Sequence, residues 1–145
     1  MASYHPYLNF DGNAEEAFNF YRSVFGGDFS AVMRFTDMEG CSEMPLSEAE
    51  KTKIAHISLP LENGTILMAS DTLESLGQKL SVGNNTYTCI VPDTRSDADR
   101  LFNGLSAGGS VQMAMSDMPW GAYWGCFSDR FGVQWMISHD TKQEV

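Results

Sequence analysis

Basic residues are scarce in this chain, and that scarcity makes the first exclusion. Nine Lys and Arg against nineteen Asp and Glu leave a formal net charge of −10, which repels a phosphate backbone and an anionic bilayer surface alike. No nucleic-acid and no membrane partner is expected. No apolar run approaches the roughly 18 residues of a membrane span, and the opening Met1-Ala2-Ser3-Tyr4-His5 lacks the basic and apolar regions of a signal peptide, so the expected address is the cytoplasm. Cysteine is sparse: Cys41, Cys89 and Cys126 are an odd number with no CxxC spacing, which supplies neither a disulfide framework nor a zinc knuckle. Buried, reduced thiols are the expectation.

What is present is ordinary globular stock. With 43% apolar and 12% aromatic residues in 145, the chain can bury a core as one domain spanning residues 1–145. That domain is internally duplicated. Gly64-Thr65-Ile66-Leu67-Met68-Ala69-Ser70 reappears as Gly132-Val133-Gln134-Trp135-Met136-Ile137-Ser138, with Gly, Met and Ser recurring at one offset (64 to 132, 68 to 136, 70 to 138). A helical stretch ends at Gly26-Gly27 and another at Gly108-Gly109. The pattern predicts two modules of one strand, one helix and three strands, at about 3–71 and 85–140.

Periodicity fills in the elements. The first module reads as a strand from Tyr4 to Phe10, a helix from Ala14 to Phe25 with Ala17, Phe20, Tyr21 and Val24 at helical spacing, and strands over Asp28–Phe35, Ile54–Leu59 and Thr65–Ser70. The second reads as Thr86–Val91, a helix from Arg95 to Ser106 carrying Ala98, Leu101, Phe102 and Leu105, then Val111–Ser116, Ala122–Ser128 and Val133–Ser138. Two inserts break the symmetry, at 36–53 and 72–85. In the first, Ser47-Glu48-Ala49-Glu50 is a capping-box pattern, which predicts a short helix.

Side chains alternate faces along a strand. One set, including Leu8, Phe10, Ala31, Met33, Phe35, Ile57, Leu59, Tyr87, Val111, Met113, Phe127 and Trp135, is apolar throughout and is expected under the helices. The other set has His5, Tyr7, Val32, Arg34, His56, Ser58, Met68, Thr86, Gln112, Trp124, Cys126, Gln134 and Met136, with Arg34 as its one charge. A solvent-facing set would be rich in Lys and Glu. Small polar groups, Met and aromatics instead suit a ligand-holding concavity, or a face packed on another subunit.

Within that set, Arg34 suits bidentate grip of an anion or a strand-end salt bridge to Asp37 or Glu39. Tyr7 and Trp124 suit stacking on a flat molecule. His56 suits an acid/base or ligand role, or a bond to a hydroxyl such as that of Ser58. His5, His56 and Cys126 share one face by parity, and a thiol beside imidazole is the minimum for an activated nucleophile. Nothing on the face supplies an orienting acid, so a packed or pocket-lining Cys126 is the preferred reading.

At this point the chain resembles a known family. Pro6-Tyr7-Leu8-Asn9-Phe10, Gly12-Asn13-Ala14-Glu15-Glu16-Ala17 through Phe20-Tyr21, Ile54-Ala55-His56, Trp120-Gly121 and Asp129-Arg130-Phe131-Gly132-Val133-Gln134-Trp135-Met136-Ile137 look like the PhnB branch of the vicinal oxygen chelate superfamily, which includes glyoxalase, extradiol dioxygenases, and fosfomycin and bleomycin resistance proteins. The resemblance implies an α+β fold in which two βαβββ modules form a curved mixed sheet, a cup with helices outside, and a homodimer. Many PhnB-like sequences carry a methyltransferase label, yet this chain shows no glycine-rich nucleotide-binding turn.

The resemblance also implies where a metal would sit, because metal enzymes of the superfamily present His or Glu from the first and last strands of each module. Those positions here are His5, Met68, Thr86 and Met136. Thioethers are soft donors, poorly matched to zinc, manganese or iron. The preferred expectation is therefore a protein that binds a small molecule in the inter-module cup, with no cofactor and no catalytic metal. A metal-dependent lyase or dioxygenase with atypical ligands is the second reading, and a structural dimerisation domain the third.

Overall fold

In the computed structural model, which describes residues 1–141, the chain divides into two compact units with the boundary after Ser81. The first unit runs β1 (Tyr7–Phe10), α1 (Ala14–Phe25), β2 (Ala31–Arg34), a short α2 (Glu48–Lys51), β3 (Ile54–Pro60) and β4 (Ile66–Asp71). Its sheet has the order β1-β4-β3-β2, with β1 parallel to β4 and the other pairs antiparallel. The second unit repeats this as β5 (Thr88–Ile90), α3 (Arg95–Ser106), β6 (Ser110–Met118), β7 (Ala122–Ser128) and β8 (Gln134–Asp140), in the order β5-β8-β7-β6. Each unit is thus a βαβββ module with a four-stranded mixed sheet, the α+β class that the duplicated pattern predicts.

The helices form where the pattern places them. Helix α1 buries Ala14, Ala17, Phe18 and Tyr21, a stripe at i, i+3, i+4 and i+7 that packs chiefly on β3. Its first turn is not capped by the adjacent Asn13. Asp71, buried at the end of β4, accepts from the amide of Ala14 at 2.9 Å and from that of Ile54 at 2.9 Å, so one carboxylate ties the helix start to β3. Helix α3 is capped locally, with the Thr94 side chain accepting from the Asp97 amide. It buries the four expected residues, Ala98, Leu101, Phe102 and Leu105. Helix α2 forms with the full capping box between Ser47 and Glu50.

The interior strands supply the core. Ile57, Leu59, Leu67 and Ala69 in the first unit, and Phe127, Trp135 and Ile137 in the second, are buried; each large side chain so buried contributes roughly 1.5–3 kcal/mol. After α3 the chain passes so close to β7 that a Cβ on Gly109 would collide with the carbonyl oxygen of Ser128, and only glycine fits there.

The edge strands differ from the expected alternation. Ala31 and Met33 lie opposite Ser58 and His56, while Val32 lies opposite Ile57, which reverses the predicted faces of β2. A bulge between Met33 and Arg34 shifts the phase, so counting back from buried Phe35 gives the wrong face. In β6, Val111 lies opposite Phe127 but Met113 lies opposite Cys126, with a bulge between them and a second before Ser116. In β5, Thr88 and Ile90 lie opposite Trp135 and Ile137, and Cys89 lies opposite Met136. Tyr87 and Met113, predicted under the helices, therefore belong to the other face.

Candidate functional site

Cross-strand partners share a face of the sheet, so the pairings define the surface that each unit turns away from its helix. In the first unit they give a row of Tyr7, Met68, Ser58 and Ala31, flanked by His56 opposite Met33. The Tyr7 hydroxyl and His56 Nδ1 share a hydrogen bond of 3.4 Å, their rings 5.9 Å apart. The Ser58 hydroxyl pairs with that of Ser30 at 2.9 Å rather than with His56. Tyr7 keeps 47% of its surface exposed, so its side of the pair faces solvent.

His5 precedes β1, and its Nδ1 accepts from the amide of Ile66 at 3.0 Å. It fastens the chain ahead of β1 to the start of β4. Arg34 turns to α1, where its guanidinium clamps both carboxylate oxygens of Glu15, at 2.6 and 3.2 Å, and donates to the Thr52 carbonyl at 3.0 Å. The hydrogen bond from Arg34 holds the Glu15 carboxyl below its ordinary range. Asp37, one of the salt-bridge partners predicted for Arg34, instead receives its backbone amide. Around this ion pair is a surface depression of about 410 Å³ lined by Gly12, Glu15, Arg34, Thr52, Lys53, Ile54 and Asp71. Lys53 reaches across it to the Gly12 carbonyl.

The second unit builds a denser polar surface. Gln112 on β6 has both ends of its amide engaged: Oε1 accepts from the Tyr87 hydroxyl and the Cys126 thiol, and Nε2 donates to the Ser128 hydroxyl and to Gln134 Oε1. Gln134 in turn donates to the Thr86 carbonyl at 2.8 Å. This is the full complement of an amide, two acceptor sites and two hydrogens. It fixes five side chains relative to one another. Beside them Trp124 lies opposite Ser116 and Ser138 and meets Trp120 edge-on at 6.3 Å, and Met136 lies opposite Cys126. Burial raises the Cys126 thiol above its ordinary value, which keeps it protonated and unreactive at neutral pH.

Sequence reasoning placed Gln112 and Gln134 on this face without giving them a role. It missed Tyr87 and Cys89, because the assumed phase of the edge strand turned both away. Two long amides facing one another across a β-sheet were the available signal.

The donor set can be tested against the metal that the resemblance implies. Opposite Met68 the structure places Tyr7, and opposite Met136 it places Cys89, whereas the expected partners on the first strands were His5 and Thr86. One nitrogen of His5 is committed to a backbone amide, and Thr86 is engaged through its carbonyl. Among the described residues no three His, Cys, Asp or Glu side chains are grouped to hold an ion. A donor set in which thioethers hold half of the positions does not fit a hard or borderline divalent cation.

A family model described as the Glyoxalase/Bleomycin resistance protein/Dioxygenase superfamily matches residues 4–137. Protein YjdN of Escherichia coli is similar at 30% identity over 146 residues, covering 92% of each chain. The crystal structure of protein PA1353 from Pseudomonas aeruginosa aligns with a TM-score of 0.82 at 36% identity, over 97% of this chain and 98% of that one. The PhnB protein from Bacillus cereus aligns at 0.74 with 23% identity, over 95% and 99%, a likeness of fold. Among the described residues no helix is long and apolar enough to cross a membrane.

Proposed function

The chain belongs to the Glyoxalase/Bleomycin resistance protein/Dioxygenase superfamily, and from that premise we propose that it binds a small, neutral, flat organic molecule on the sheet faces just described, without a catalytic metal. The observation that carries this reading is the Gln112 network. A satisfied amide holds Tyr87 and Ser128 in fixed positions, so that the phenolic oxygen still offers an acceptor and the Ser128 hydroxyl a donor. Trp124 and Met136 beside them offer an aromatic plane and a polarisable, adaptable contact. Polar groups held in fixed positions beside an aromatic plane and a thioether are what a small-molecule site needs to orient its ligand.

Neutrality of the ligand follows from the lining. The second unit's face carries no charged side chain among Tyr87, Cys89, Gln112, Trp124, Cys126 and Met136, and a charge desolvated there would have no partner. In the first unit, Tyr7, His56 and Met68 are the contacts we assign. His5, Thr86 and Arg34 act as supports, through their bonds to Ile66, Gln134 and Glu15. A homodimer belongs to the same proposal, supported by the apolar exposure of Val91 and Val111, at 66% and 50%.

The test is a thermal-shift and affinity screen of neutral aromatic fragments. Hits should weaken about 10-fold or more with Trp124→Ala, the loss of a stacking contact worth roughly 0.5–1.5 kcal/mol beyond its buried area. Met68→Glu should weaken those that use the first unit. Hits that bind both variants as tightly as the parent would place the site elsewhere.

A further inference from the structure

One cross-strand row in the second unit is made entirely of sulfur. Cys89 on β5 pairs with Met136 on β8, Met136 with Cys126 on β7, and Cys126 with Met113 on β6, so each of the four strands contributes one sulfur side chain to one line on one face. The corresponding row of the first unit reads Tyr7, Met68, Ser58 and Ala31, with a single sulfur. The duplication therefore diverges at this row. We propose that Cys126, flanked by Met113 and Met136, is a binding site for one soft monovalent cation, copper(I) or silver(I).

Three physical points lead there. Met136 and Cys126 are regular antiparallel partners, about 4.5–5.5 Å apart at Cβ; Met113 pairs with Cys126 between two bulges, with its backbone at the thiol; and a methionine has three rotatable bonds, so both thioethers can lean over the shorter central cysteine and close a three-sulfur set on an ion seated above Sγ. Thiolate and thioether are the donors that select copper(I), while the row holds no carboxylate or imidazole for a harder ion. Charge also closes: one thiolate and one monovalent cation form a neutral unit, the least costly species to place where Cys126 is only 5% exposed. A divalent ion would leave a net positive charge.

Binding is a proton exchange with no redox step. The Cys126 thiol now donates to Gln112 Oε1 at 3.7 Å; on binding, the S–H bond breaks, a sulfur–metal bond forms and the proton passes to solvent. Met113 offers a backbone hydrogen bond that favours the thiolate, and the metal compensates for the burial that otherwise opposes it. Met113, 47% exposed, is the side open to an arriving ion.

The test titrates the reduced full chain anaerobically with copper(I) against a chromophoric chelator, and separately with silver(I), which stays monovalent. One equivalent should bind. Cys126→Ser should weaken it by roughly 100-fold, and Met113→Leu and Met136→Leu by about 10-fold each; leucine keeps the volume of methionine, so the fold survives. Cys41→Ser, in the other unit, should change nothing. Uptake insensitive to the two Met→Leu variants, a loss that tracks Cys89→Ser rather than Cys126→Ser, or no uptake at all would each overturn the assignment.

Discussion

Replacing Asp129 with alanine should be among the most damaging single changes in the second unit. Asp129 sits at the turn between β7 and β8, 4% exposed. One oxygen accepts from the amides of Phe131 and Val133, at 2.8 and 3.0 Å, and the other from the indole N–H of Trp135 at 2.8 Å. The carboxylate thus stiffens a turn that Gly132 completes at φ +86° and locks the largest buried side chain to it. Losing it leaves the Trp135 indole without its acceptor in a fully packed place, at a cost of about 1–3 kcal/mol, and loosens two turn amides that water can partly serve, at about 1 kcal/mol each. The total is roughly 3–5 kcal/mol, a fall in Tm of about 10–15 °C for a chain of this size. Asp129→Asn retains one acceptor oxygen but turns an NH₂ toward the other donors, and should fall between the parent and the alanine variant. Urea and thermal unfolding followed by circular dichroism measure the series. Adding Trp135→Phe to Asp129→Ala removes the stranded donor, so the double variant should be less destabilised than the two single costs combined, with about 1–3 kcal/mol of coupling. Additive losses, or Asp129→Asn as stable as the parent, would refute the reasoning.

Two further outcomes follow from the same structure. Hydrogen bonds from Ser47 and Ser75 lower the Glu50 carboxyl from 4.5 to about 2, so its contribution to stability is fully present above pH 4.5 and is lost as pH falls toward about 2; the Tm difference between the parent and Glu50→Gln should shrink over that window, and a difference independent of pH there would contradict the assignment. Sedimentation velocity should give a species of twice the 16.1 kDa chain mass, and Val111→Lys on edge strand β6 should shift it toward the single chain; a monomer at all concentrations would remove the homodimer from the proposal.

Much of the fold was legible because the helices and the interior strands are each governed by one pattern. The bounds of α1 and α3 match the periodic segments Ala14–Phe25 and Arg95–Ser106, and β7 matches Ala122–Ser128. On β3, β4, β7 and β8 the alternation reads correctly, since one face is fully buried and a slip would expose it. The edge strands carry no such penalty. Both neighbours of the bulge in β2 are half-exposed or polar, and Thr86-Tyr87-Thr88-Cys89-Ile90 suits a strand in either phase, so composition could not choose. The first-strand register failed for a related reason: β1 and β5 run parallel to β4 and β8, and a parallel ladder is set by long-range pairing rather than by a local turn. His5 and Thr86 were therefore expected where Tyr7 and Cys89 stand. Arg34 shows the limit of parity for charge, since its partner Glu15 lies on a helix that strand alternation does not address.

The central claim, that a neutral flat ligand lies against the Gln112 network, is tested most directly by the indole N–H signals of the three tryptophans in a two-dimensional NMR titration with the best fragment. Trp124 and its edge-on neighbour Trp120 should shift together with the side-chain amides of Gln112 and Gln134, while Trp135, bonded to Asp129 beneath the sheet, stays in place. Saturable binding that leaves Trp124 and both amides unmoved would contradict the account.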